Sequence, residues 1–240
     1  MEWRDEGIIL AVRKHGESSA IAEILTAEHG RCLGLVRGGR SRALRPILQP
    51  GNHVAVTWRA RLEEHLGHFQ MEPLHLQAGL IIDEPLRLMG LSTLTALAQV
   101  LPEREPHPRL FRAMQIVLSV IDQDGVWPAL LVRWEMGLLE ELGFGLDLSK
   151  CAATGTDQAL AYVSPKSGRA VSATAGMPYH DRLFVLPAFL RGENPGQQDE
   201  VMEGLRLTGY FLERHIFGPR SVAMPQARLM LQERLGLRAH

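Results

Sequence analysis

The hydrophobic period of the chain changes near residue 81, and this change limits the possible folds more than any other feature. In 53–61, Val54, Val56 and Trp58 fall on one face and His53, Thr57, Arg59 and Arg61 on the other, the period of two that a half-buried strand requires. Short strands also read at 7–13, 20–26, 31–36 and 66–71. They are punctuated by the turn chemistry of His15-Gly16-Glu17-Ser18-Ser19 and Glu28-His29-Gly30, and Pro73 is expected to end the last one. Beyond 81 the apolar residues Leu86, Met89, Leu94, Leu97, Ala98 and Leu101 recur with helical spacing, as do Leu110, Met114, Val117, Leu118 and Ile121 after a breaker at 102–108. A third helix is predicted at 127–142, capped by Gly143, with others at 199–217 and 226–235.

These periods predict an α+β chain of two domains. Residues 1–80 read as a small five-stranded barrel, either of the oligonucleotide-binding (OB-fold) kind or SH3-like, since both give nearly the same pattern. Residues 81–240 read as an α-helical domain interrupted at about 145–195 by a loop-rich insert, where Gly, Ser, Thr and Pro are frequent.

Within the first domain, 31–62 carries seven arginines and no Asp or Glu: Arg31, Arg37, Arg40, Arg42, Arg45, Arg59 and Arg61. The formal charge of -1 for the whole chain conceals this. Ordinary surfaces intersperse both signs. Arginine stays ionised and pairs with phosphate oxygens bidentately, so an acid-free cluster on a turn points to a polyanion, with nucleic acid the first candidate. The cluster at 37–45 reads as a flexible grip, with Arg59 and Arg61 on a barrel face. Trp58 and Phe69 suit either base stacking or the core.

Other chemistries find less support. Gly34-Leu35-Val36-Arg37-Gly38-Gly39-Arg40-Ser41 imitates a phosphate loop, and Leu80-Ile81-Ile82-Asp83-Glu84 a magnesium-binding strand end. Pro46 and Pro50, however, leave too little room for the helix that a phosphate loop must open. His65 and His68 beside Glu63 and Glu64 lack zinc-protease order, and on a strand the two histidines point to opposite faces. No nucleophile elbow occurs, and Cys32 and Cys151 have no flanking motif. The expectation is a non-enzymatic protein without a cofactor. The charged start Met1-Glu2-Trp3-Arg4-Asp5-Glu6, and the lack of any run near the roughly 18 apolar residues of a membrane span, predict a soluble, untargeted chain with no membrane partner.

Several segments in order carry a family resemblance: Asp5-Glu6-Gly7-Ile8-Ile9-Leu10, His15-Gly16-Glu17-Ser18-Ser19, Leu25-Thr26-Ala27-Glu28-His29-Gly30, Val36-Arg37-Gly38-Gly39-Arg40-Ser41 and Leu48-Gln49-Pro50-Gly51. Trp134-Glu135, Leu142-Gly143-Phe144 and Tyr162-Val163-Ser164-Pro165-Lys166-Ser167-Gly168-Arg169 continue it. In these the chain resembles the bacterial RecO family of DNA repair and recombination mediators.

The resemblance implies an OB-fold barrel before a helical domain, and a cytoplasmic, nucleoid-associated protein. It implies binding of single- and double-stranded DNA, annealing of complementary strands, and loading of recombinase onto strands coated by single-strand-binding protein. It also implies partnership with RecR and with the C-terminal tail of the single-strand-binding protein, for which Arg109, Arg112, Arg206 and Arg214 are candidate contacts. An RNA-binding barrel protein and a purely protein-binding adaptor are the rival readings. Some relatives hold zinc with four cysteines in the insert. Here Thr154 stands where the partner of Cys151 would be and 155–240 has no cysteine, so no metal is expected.

Overall fold

The computed structural model describes all residues except 63, 124, 193–195, 239 and 240. Its first compact unit, Met1–Asp122, begins with strands β1 (Glu2–His15), β2 (Ser19–Thr26), β3 (Gly30–Val36), β4 (His53–Arg59) and β5 (His68–His75). They close into a barrel in the order β1-β2-β3-β5-β4, with β5 between β3 and β4. The closing seam is narrow: a single parallel pair, Leu35 with His68, and an amide bond from Leu35 to Gly67 O at 3.0 Å. This is the expected oligonucleotide-binding architecture.

β1 is twice as useful as its expected span of 7–13 suggests. Glu2 to Ile8 pair with β4 and Gly7 to His15 with β2, and a register shift between Ile9 and Ala11 bends the strand from one neighbour to the other. The first half escapes a hydrophobicity reading because Arg4 and Glu6 face solvent. β5 also runs on through Pro73, which pairs with Val54 where the β4 register shifts. A bulge is a place where a strand tolerates the missing amide. The interior is filled by Ile9, Ile24, Val54, Val56, Trp58, Phe69 and Met71 among others. Gly34 makes room for the Phe69 ring, since a Cβ there would stand 2.4 Å from it.

Among the described residues three helices complete this unit: α1 (Gln77–Leu80), α2 (Pro85–Ala98) and α3 (Pro108–Ser119). Proline opens the two longer ones, at the position where its missing amide costs nothing. Leu91 of α2 sits over Gly51, where a Cβ would meet it at 2.4 Å. The compact unit therefore extends past residue 80.

The second unit, Gln123–His240, holds α4 (Trp127–Glu141), a small sheet of β6 (Leu160–Val163), β7 (Ala170–Ser172) and β8 (Phe184–Val185), the short α5 (Ala173–Gly176), α6 (Gln198–Leu212) and α7 (Gln226–Arg238). Gly143, at φ 84°, follows α4 as expected, with Phe144 N bonded back to Leu139 O at 2.7 Å. α6 opens with a reciprocal capping box between Gln197 and Glu200 and runs into a π turn at Glu213–Phe217. Its core contains an ion pair: buried Arg228 holds buried Glu135 through Nε and Nη2 and also donates to Leu205 O, while the Thr208 hydroxyl donates to Glu135.

The insert is more regular than a loop-rich composition suggests, since its strands pair antiparallel in the order β7-β6-β8. Cys151 sits buried within it. Burial alone would raise its thiol pKa, yet hydrogen bonds from the hydroxyls and amides of Ser172 and Thr154 bring it down to about 6. Backbone bonds hold the surrounding knuckle, Cys151 N to Thr156 O at 2.7 Å and Ala152 N to Ala170 O at 2.8 Å. Among the described residues no three of His, Cys, Asp and Glu stand close enough to hold a metal ion, and no described helix is long and apolar enough to cross a membrane.

Candidate nucleic-acid interface

The arginine cluster lies on the connection between β3 and β4, and that connection is pinned rather than flexible. Gly38, at φ 64°, turns the chain out of β3. Gly39 N bonds Val36 O, Ser41 N bonds Gly38 O, and Arg45 N and Leu48 N bond Ser41 O and Leu44 O. Leu48 is buried in the barrel core, with Leu44 and Ile47 packed partly beside it. Asn52, fully buried, donates its amide to Pro46 O and Ile47 O at 2.9 Å each and accepts from Ala78 N at 3.1 Å. Backbone fixed from both sides presents its outward side chains at reproducible positions.

Those side chains divide. Arg40 crosses to the β1–β2 turn, where its amide bonds Ser18 O at 3.0 Å and its Nη1 donates to Gly16 O and Glu17 O at 3.3 and 2.6 Å. With Lys14 and Arg45 it lines an open groove of about 440 Å³ floored by Val12, Ala20 and Leu48. Arg37 turns the other way, its Nη2 3.2 Å from His68 Nε2. With Arg59, His68 and Leu44 it lines a second groove of about 460 Å³, continued past Arg59 and His68 by Arg61 and His65 in a cleft of about 500 Å³. Among the described residues no Asp or Glu lines any of these. Arg42 is exposed on the loop between them.

Arg59 is held by Glu2 in a fork, at 2.8 and 3.1 Å. Each lies opposite the other in the β1–β4 register, and the Arg59 hydrogen bond holds the Glu2 carboxyl below its usual range. Both side chains remain about half exposed, so the pair is easily exchanged for another anion. Arg31 has a different surrounding. Its guanidinium is paired with buried Glu23, donates through Nε to Leu101 O at 2.6 Å, and stands 3.7 Å from Glu103. Glu23 is the diagonal neighbour of Arg31 across β2 and β3, so this cation neutralises an interior acid.

Trp58 and Phe69 are both core residues, and the Trp58 indole donates to Leu66 O at 3.1 Å. Neither is free to stack on a base. The phosphate-loop imitation also fails in three dimensions, since its first three residues are strand β3 and no helix follows. Of the histidine cluster, His65 and His68 are exposed beside the second groove, and Glu63 lies outside the described residues. Lys14, His65 and His68 join the basic surface without belonging to the arginine window. Lys14 was findable as the residue before the β1–β2 turn; the histidines depend on the β3–β5 seam.

The comparisons with known proteins point one way. Residues 1–76 match the family described as "Recombination protein O N terminal", and 83–222 that described as "Recombination protein O C terminal". The chain is 54% identical over 235 residues to the DNA repair protein RecO of Methylobacterium nodulans, covering 95% of each chain. It is 52% identical to that of Methylorubrum populi, covering 95% of this chain and 96% of the relative. Against the RecO of Mesorhizobium japonicum the identity is 53%, over 95% of this chain and 91% of the relative.

Proposed function

From the premise that the chain belongs to the RecO family, we propose that it is a non-catalytic mediator of DNA repair and recombination that binds single- and double-stranded DNA through its barrel. The observation that supports this best is the acid-free loop at 37–52, which is pinned to the core and carries exposed Arg37, Arg40, Arg42 and Arg45. Arg59 and Arg61 extend the track along β4 and past its end. Arg31 serves the fold, by neutralising Glu23.

Such a surface reads phosphates rather than bases. Annealing follows physically: neutralising the backbone charge on two strands reduces their mutual repulsion, so pairing nucleates on the protein. Acting in the cytoplasm on the nucleoid, the protein works with RecR and with the acidic tail of single-strand-binding protein to help recombinase onto coated strands. For that tail Arg109 and Arg112 are exposed candidates. Arg206 is paired with Glu203, and Arg214 is bonded to Pro165 O.

Equilibrium binding of unrelated single-stranded DNA sequences to the wild-type chain and to R40A/R42A tests the proposal. The variant should lose affinity by a similar factor for every sequence. Loss confined to one sequence, or wild-type affinity in the variant, contradicts it. Single-stranded RNA of equal length should compete less well than DNA; the reverse ranking would favour an RNA-binding role.

A further inference from the structure

We infer that the barrel holds two single strands at once, one in each groove beside loop 37–52, with the loop as a fixed partition. This rests on the DNA-binding function proposed above and adds a stoichiometry and an assignment of residues.

The acid-free window is contiguous in sequence but divided in space. Arg40 and Arg45 face one groove with Lys14; Arg37 faces the other with Arg59 and His68, and Arg61 continues it. Each side therefore offers three arginine or lysine cations, the only acid paired with any of them among the described residues is Glu2 on Arg59, and the two grooves flanking the loop are of nearly equal volume, about 440 and 460 Å³. A single binding path would not need two equal cationic channels.

The partition is anchored to the barrel core by apolar side chains. Leu44 lines the second groove and Leu48 the first, and the buried Asn52 amide fixes the backbone between them through Pro46 O and Ile47 O. The loop therefore separates the channels instead of swinging over one of them. Arg40 is anchored through Nη1 on the Gly16 and Glu17 carbonyl oxygens, and its other guanidinium donors face no acceptor among the described residues, which suits them to phosphate. In the second groove the half-exposed Glu2–Arg59 pair yields to a phosphate at little cost. Two strands lying on either side of one loop have their charge neutralised by separate sets of cations, and complementary bases meet over its tip.

The test uses the full chain and oligothymidine of about eight nucleotides, within the roughly 4–16 nucleotides typical of a single barrel site. This oligonucleotide cannot pair with itself. Native mass spectrometry counts oligonucleotides per chain, and energy transfer between separately labelled donor and acceptor oligonucleotides reports their proximity. The wild type should bind two per chain and show transfer. K14A/R45A and R37A/R61A should each bind one and lose transfer, and the quadruple variant should bind none. One oligonucleotide per wild-type chain overturns the two-groove inference and leaves the DNA-binding proposal standing, as does loss of all binding in either double variant. Absence of binding by the wild type at low salt overturns both.

Discussion

At the residue scale, two sites, one fully buried and one partly buried, show what the interior requires of single side chains. Arg228 and Glu135 are both fully buried and paired, so removing one partner strands a charge without water. R228A should cost about 3–5 kcal/mol in chemical denaturation; a cost below about 1 kcal/mol, the worth of an exposed pair, would contradict this reading. His53 is held below the ordinary histidine value by burial, with His75 acting the same way and Glu6, at 3.2 Å, opposing. The unfolded chain then protonates first, near about 6.5, so stability is full above that value and falls as pH drops through the lower native value. H53Q should flatten the dependence of melting temperature on pH between about 7.5 and 5.5. An unchanged slope would place the responsible proton elsewhere. Neither site was legible in the sequence, because each joins residues far apart along the chain: Glu135 meets Arg228, and His53 meets Glu6 and Gln115.

At the scale of elements, the loop at 37–52 matters most. Its cations are placed by an apolar anchor, so L48A should cost about 2–5 kcal/mol and also weaken DNA binding, although Leu48 carries no charge. Stability loss in thermal unfolding with DNA affinity unchanged at a temperature where the variant stays folded would show that the loop needs no anchor. G34A tests the barrel itself, because the new Cβ would collide with the buried Phe69 ring. Melting should fall by an amount equivalent to about 1–3 kcal/mol; no fall would mean the ring shifts freely. Sequence alternation revealed β4 in full, with Val54, Val56 and Trp58 inward. It missed the first stretch of β1, where Glu2, Arg4 and Glu6 face solvent and Trp3 is the one apolar residue facing inward among residues 2–6. It missed β6 to β8 because strands of two to four residues are too short to show a convincing alternation. Arg31 looked like its six neighbours because the acids that hold it, Glu23 and Glu103, lie outside the acid-free window.

At the scale of the whole molecule, a chain of formal charge -1 binds a polyanion only if its cations are concentrated, and here they are concentrated on one loop and one barrel face. Non-specific attraction spread over the surface would predict little effect from any few substitutions. A localised site predicts a large one. The most direct measurement is the dependence of single-stranded DNA affinity on salt, for the wild-type chain and for R37A/R40A/R42A/R45A. Each phosphate contact on a single strand contributes about -0.7 to the slope of log affinity against log salt. Removing four should make the slope shallower by up to about three units, and an unchanged slope would contradict the account.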